Sequence, residues 1–333
     1  MIATRAVEQF RGHLRKFDGS GWNEFWFAPA DPLASAVMRV VTGLIGLYVM
    51  VSHTPDLVEW FGRHGLLSVK TVGILASGQL EGGGPPSVLN GFDSSAALYA
   101  VHSIGLAAFV ALTVGFFSRT ANAVALVAIL SYAHRAPMLS GLIEPVLIAL
   151  LLYLLIAPSG AAISFDRRRA TSGGAPSWLA NFSIRLMQVH LCAFYAMMAL
   201  TKLGNETWWM GEAAWWLAAQ QESRIINLTF LHGSIYLING LTHLIVMSEL
   251  SFAVLAWSPK LRPFAMLFTT IVWLVVAMLS GQLGFCLTMI LANLAFIRRQ
   301  RGAKYWRSRP NRRRTRRRRS SHTRTLSHQE SRF

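Results

Sequence analysis

Long apolar runs separated by short polar intervals dominate this chain. A helix needs about 20 mostly apolar residues to cross roughly 30 Å of hydrocarbon. Runs of that kind predict spans at about 33–52, 94–116, 119–135, 139–157, 183–203 and 233–257. From Pro263 to Ile297 there are 35 residues without a charge, too long for one span. The stretch Ser280-Gly281-Gln282-Leu283-Gly284 predicts a turn that splits it in two. The expected fold is therefore all-α, a polytopic transmembrane helix bundle of about eight membrane segments. The third span and the last pair are short, and a re-entrant course fits them as well.

The basic residues between the runs orient this scheme, because cytoplasmic loops carry an excess of Lys and Arg. With the N-terminus inside and the spans alternating, 26 Lys/Arg fall inside and five outside, the five being Arg63, Lys70, Arg135, Lys202 and Arg224. Both termini are expected on the cytoplasmic side of a cell (inner) membrane. The first 32 residues are polar and mixed, and no short apolar region with a cleavage site precedes the first span, which is expected to act as a signal anchor. Two aromatic stretches suit headgroup depth: Gly21-Trp22-Asn23-Glu24-Phe25-Trp26-Phe27 and, on the outer side, Trp208-Trp209-Met210-Gly211-Glu212-Ala213-Ala214-Trp215-Trp216. The segment 78–90, containing Gly82-Gly83-Gly84-Pro85-Pro86, reads as an exposed outer loop.

Charges inside a bilayer cost about 2.5–3.5 kcal/mol each at a helix centre, so those within the spans need a reason. Arg39 lies a third of the way into the first span, where it either pairs with a carboxylate or snorkels inward. His134 and Arg135 close the third span, and Arg135 also fits a simple interface marker. Glu144 sits early in the fourth span, where it too fits an interface marker, and His243 and Glu249 lie within the sixth. Lys202 ends the fifth span, where snorkelling to water is the ordinary explanation. Gln188, Tyr195 and Lys202 are seven apart and share one helix face. His232, Tyr236, Asn239 and His243 share another. Polar stripes do not face lipid, so the two are expected to face each other or a common cavity beneath the tryptophan-rich patch. A packing role for His243 fits equally well.

Composition refines this picture in two places. Only 14% of the residues are charged and 53% are hydrophobic, against roughly a quarter charged in soluble domains. The net charge of +17 belongs to one segment: Arg298–Phe333 holds 15 Lys/Arg and the single acid Glu330, which leaves 17 basic and 14 acidic residues elsewhere. Residues 303–333 are read as a disordered Arg-rich cytoplasmic tail. Arginine neutralises phosphates, which opens a nucleic-acid reading. The tail directly follows a membrane segment, however, so anionic lipid is the expected partner and nucleic acid is not. The two cysteines, Cys192 and Cys286, lie in apolar segments with no ligand cluster, and no metal is expected.

Several ordered motifs resemble one membrane family. Trp26-Phe27-Ala28-Pro29 and Asp31-Pro32, followed by Arg39 and Gly43, look like its opening. Phe61-Gly62-Arg63-His64-Gly65-Leu66-Leu67 resembles its first outer loop, and His134-Arg135-Ala136-Pro137 its His-Arg-Asn segment. Leu186-Met187-Gln188-Val189-His190, Thr201-Lys202-Leu203 and the tryptophan-rich stretch to Gly211 resemble its most specific part. His232-Gly233, Thr242-His243 and Ser248-Glu249-Leu250 also fit. Residues 21–302 in this way resemble the membrane domain shared by vitamin K-dependent gamma-carboxylase and the bacterial horizontally transferred transmembrane (HTTM) domain proteins, preceded here by a cytoplasmic segment, 1–20.

The resemblance implies a role for two residues. In the carboxylase a lysine at the position of Lys202 is the base that deprotonates vitamin K hydroquinone, and a histidine matching His134 supports it. A lysine must be neutral to act as a base, and burial favours that form. The implied cavity is lined by Gln188, Tyr195, Arg135, His232, Asn239, His243, Glu249 and Arg39, with a quinone as the implied cofactor. Where the carboxylase continues into a large lumenal substrate domain the last span here runs into the arginine tail, and Trp273 stands where the family has a histidine. Peptide-glutamate carboxylation is therefore not expected. Two readings stand: a quinone- or lipid-linked enzyme using a buried lysine base, and a non-enzymatic membrane protein acting in export, immunity or envelope function. A transporter would require broken helices or inverted repeats, which are not evident beyond the break at 280–284.

Overall fold

The computed structural model describes residues 20–62, 65–77, 86–92, 94–169, 175–219 and 233–297. Residues 1–19, Arg63 and His64, the glycines of the 78–85 loop, Arg224, His232 and the arginine tail lie outside them. Among the described residues every regular element is helical, apart from one isolated antiparallel bridge between Ala30 and Ser177. The helices are α1 (Ser20–Phe27), α2 (Leu33–Ser52), α3 (Leu57–Phe61), α4 (Val69–Ser77), α5 (Ser95–Val114), α6 (Ser118–Arg135) and α7 (Ile143–Ile156). They continue as α8 (Phe165–Arg169), α9 (Trp178–Leu203), α10 (Glu206–Trp209), α11 (Ala213–Ala218), α12 (Ile235–Leu255), α13 (Arg262–Ser280) and α14 (Leu283–Ala292).

Five of these, α2, α5, α9, α12 and α13, are long and apolar enough to cross a membrane, fewer than the eight expected. The difference lies in three elements. Helix α6 is long, but Arg119, Asn122, His134 and Arg135 lower its mean hydropathy. Helix α7 starts only at Ile143, and α14 gives way after Ala292 to a short 3₁₀ turn, Asn293–Phe296. The turn expected at 280–284 is present. Gly281 closes α13 in the left-handed region, at φ +69°, where a side chain would be strained.

Two apolar cores run through the described bundle. The first is built by Val41, Ile45 and Val49 of α2, Phe109 and Leu112 of α5, Ala125 and Ile129 of α6, and Leu147 and Leu151 of α7. The second joins Met187 and Leu191 of α9, Ile245 and Phe252 of α12, Val272 and Val276 of α13, and Phe285 and Met289 of α14. Helix α7 serves both: Leu147 and Leu151 enter the first core, while Val146, Leu150 and Leu154 enter the second. Each set recurs every four residues, giving two neighbouring stripes on a helix that is apolar all round, as a helix packed on two sides requires. Large apolar residues such as Leu44, Ile104, Val127, Met197 and Leu267 are exposed, as lipid-facing positions would be.

Candidate functional site

The stripe Gln188–Tyr195–Lys202 points into the second core, and each member has a partner on a different helix. Gln188 donates from Nε2 to the Ala295 carbonyl at 2.8 Å and accepts from Arg185 Nη1 at 3.0 Å. The Arg185 guanidinium lies 4.1 Å from the centre of the Phe25 ring. Tyr195 is fully buried against Phe252, with ring centroids 4.4 Å apart. Its hydroxyl accepts from the Trp273 indole N–H at 2.8 Å and is hydrogen-bonded to the Asn293 side chain. A buried hydroxyl needs such partners, because an unmet one costs about 1–3 kcal/mol.

The Lys202 ammonium forms an ion pair with Glu249 Oε1 of α12. The lysine side chain is 16% exposed and the glutamate 1%. The ammonium also stands 5.1 Å from the centre of the Trp208 ring, within cation–π range. The second carboxylate oxygen, Glu249 Oε2, is buried and has no hydrogen-bond partner among the described residues. Glu249 is fourteen residues beyond Ile235, about 21 Å along the axis at ~1.5 Å per residue. Side chains on a helix lean toward its N-terminus, and Lys202 accordingly reaches back into the bundle. It does not take the snorkelling course that its place at a helix end would allow.

The remaining expected cavity residues sit elsewhere. His134 is half-buried and its Nδ1 bonds to the Pro86 carbonyl at 2.8 Å; among the described residues no bond joins it to Lys202. Arg135 is buried rather than an interface marker. Its Nη2 donates to the Gly62 and Leu67 carbonyls at 2.7 and 2.8 Å and so holds the segment after α3. Of the described members of the stripe expected on α12, Tyr236 is 86% exposed and His243 is exposed too. The buried face of α12 is instead Thr242, Ile245, Val246, Ser248, Glu249 and Phe252. Asn239 is half-buried and packs against Gly211. Among the described residues the two stripes therefore do not converge on one cavity; the α9 stripe meets Glu249 and Phe252 of α12 instead.

Arg39 is buried, and its direct hydrogen bonds go to carbonyls. Nη1 donates to Leu112 O at 2.7 Å, near the C-terminal end of α5, and Nη2 donates to Ile163 O. A cation is favoured there by the unmet carbonyls and the negative end of the helix dipole. The neighbouring helix start receives the opposite charge. Asp166 accepts from the Phe117 and Ser118 backbone N–H groups at 2.9 and 2.8 Å and from the Ser118 hydroxyl at 2.7 Å. Burial alone would raise the Asp166 carboxyl. The hydrogen bonds from Ser118 and Phe117, with the Arg39 charge, outweigh it and hold the group below the ordinary carboxylate range.

Three arrangements were not foreseen. Asp166 caps a helix that starts 48 residues earlier. Asn293 and Trp273 close over Tyr195. In the first core, buried His102 bridges Thr54 Oγ1 at 3.0 Å and the Tyr132 hydroxyl at 2.7 Å, with His53 stacked on Tyr132. A histidine within the second predicted span was the visible signal for this last cluster. Among the described residues no three His, Cys, Asp or Glu side chains converge as a metal site would need. Comparison of the chain with family models, with curated proteins and with solved structures finds no match.

Proposed function

We propose that this is a multi-pass membrane protein of the HTTM type whose working centre is the Lys202–Glu249 pair, and that the centre removes a proton from a hydroxyl of a lipid-soluble ring compound of the quinol class. One observation carries the reading: a nearly inaccessible carboxylate, deep along an apolar helix, keeps one oxygen without a partner among the described residues. Ionisable groups within membrane helices are costly and mark functional sites by default. An orphan acceptor beside an ammonium suits a ligand hydroxyl, and the Trp208 ring offers it a flat apolar surface. The reading also takes in the spans too short or too polar to count as crossings by themselves, with eight segments and both termini inside.

The pair explains how a lysine held by a carboxylate can still be a base. Keeping two charges out of water costs free energy, and transfer of one proton between the partners removes both charges at once. Passing its proton to Glu249 leaves Lys202 as a neutral amine. The amine then takes the proton of the ligand hydroxyl, and the resulting oxyanion rests beside the restored ammonium. The net transfer is one proton from ligand to Glu249. In this scheme Glu249 fills the supporting role that the family resemblance gives to His134.

The test is quenching of Trp208 fluorescence, taken as the difference between each protein and its Trp208→Phe counterpart, by a short-chain quinol added in lipid nanodiscs. Saturable quenching is expected in the wild type and its loss in Lys202→Met. Lys202→Arg should still bind the quinol but not deprotonate it, because arginine keeps the charge but cannot give up its proton. A second reading, a non-enzymatic protein of export, immunity or envelope function, treats the ion pair as a tie between α9 and α12. Full function of Lys202→Arg would favour that reading.

A further inference from the structure

Two aromatic surfaces lie at opposite ends of α9, and neither is used by the Lys202–Glu249 centre. At its N-terminal end Trp178 and Phe182 meet α1 in a chain of ring contacts. Phe27 lies 5.8 Å from Trp178 and 5.7 Å from Phe182, Trp26 lies 5.7 Å from Phe182, and Trp22 lies 5.6 Å from Trp26. Helix α1 is fixed there by Asn181, which donates to the Phe25 and Trp26 carbonyls at 2.8 and 3.0 Å. Trp22 is 67% exposed, and Phe27 and Trp178 are nearly half exposed. The α12–α13 corner joins the same end, since Trp257 contacts both Phe25 and Phe296.

At the other end α10 and α11 present Trp209 and Trp216, 63% and 60% exposed, together with Met210. This surface is also fastened. The Trp209 indole donates to the Leu203 carbonyl that ends α9. Thr242 of α12 donates to Gly211 O at 2.8 Å and accepts from the Ala214 N–H at 2.9 Å. Ala218 of α11 packs on Leu279 near the end of α13. The same three helices therefore carry one aromatic surface at each end.

We propose that these surfaces dock into the two headgroup layers of a phospholipid bilayer, with α1 and the α10–α11 corner lying along the opposite interfaces. The chemistry fits, because tryptophan combines a large apolar ring with one N–H and concentrates at headgroup depth. The spacing fits as well: α9 has 26 residues. At ~1.5 Å each that is about 39 Å, between the roughly 30 Å of hydrocarbon and the 40–45 Å that includes the headgroups. Charge agrees at the α1 end, where Arg168 and Lys260 are exposed and can meet anionic headgroups. This assignment stands whether or not the centre binds a quinol.

The experiment uses the full chain in vesicles of phosphatidylcholine brominated either near the glycerol end or near the methyl end of its acyl chains. The double variants Trp22→Phe/Trp178→Phe and Trp209→Phe/Trp216→Phe identify the fluorescence of each surface by difference. For both, glycerol-end bromine is expected to quench about twofold more than methyl-end bromine, with little quenching by iodide in the water. Strong iodide quenching without bromine quenching would show surfaces in water, open to a protein partner, and would overturn the proposal. Deeper quenching by methyl-end bromine would overturn it too. Trp22→Phe and Trp216→Phe alone repeat the reading if a double variant fails to accumulate.

Discussion

Glu249→Ala is expected to be among the most damaging single substitutions in the bundle, lowering stability by about 3–5 kcal/mol. It leaves the Lys202 ammonium, only 16% exposed, without its counter-charge. The revealing comparison is with the double variant Lys202→Met/Glu249→Leu. Replacing both members of a buried pair by apolar groups of similar size is often neutral, because the desolvation cost disappears with the charges. The double variant is therefore expected to recover most of the stability lost by Glu249→Ala, yet to remain unable to bind a quinol. Thermal midpoints in one detergent measure the first effect, and Trp208 quenching the second. A double variant as unstable as the single one would show that the pair is primarily a structural tie.

Arg39→Met should have an effect of comparable size, about 3–5 kcal/mol, for a different reason. It removes a charged donor from the buried Leu112 carbonyl and from the Ile163 carbonyl that ties the segment before α8. It also removes a favourable charge from Asp166, which holds the start of α6. Arg39→Lys should recover less than half, since an ammonium cannot reproduce the planar fork. Asp166 adds a pH signature. Its carboxyl is held below the ordinary range, so its contribution is complete above that range and fades as pH falls through the depressed value. The wild-type midpoint should be level near neutrality and fall in strong acid. Asp166→Asn should start lower and fall less steeply. Equal acid slopes in the two proteins would remove Asp166 from this role.

The parts of the fold legible in the sequence are those set by local pattern. The first span, 33–52, coincides with α2 because no charge except Arg39 interrupts its apolar run. The 280–284 turn was legible because glycine alone takes the left-handed position without strain. The α9 stripe followed from its seven-residue spacing, which turns all three side chains to one side. What the stripe faces was not legible: Glu249, Trp273 and Asn293 come from three later helices, and no local rule pairs them with Lys202. The α12 stripe shows where periodicity misleads. Tyr236, Asn239 and His243 share a face, but Thr242, Ser248 and Glu249 are polar as well and hold the buried one. With polar residues on both faces, spacing alone does not choose between them. Arg39 was placed between a carboxylate partner and snorkelling; its carbonyl partners on α5 and before α8 depend on a packing that composition does not describe.

The most direct test of the central proposal is mass spectrometry of small molecules released from gently extracted wild-type protein and from Lys202→Met, at matched yield and fold. The account predicts a quinone or quinol near one per chain in the wild type and a large loss of it in the variant. The same bulk phospholipids in both, with no ring compound enriched in the wild type, would contradict it.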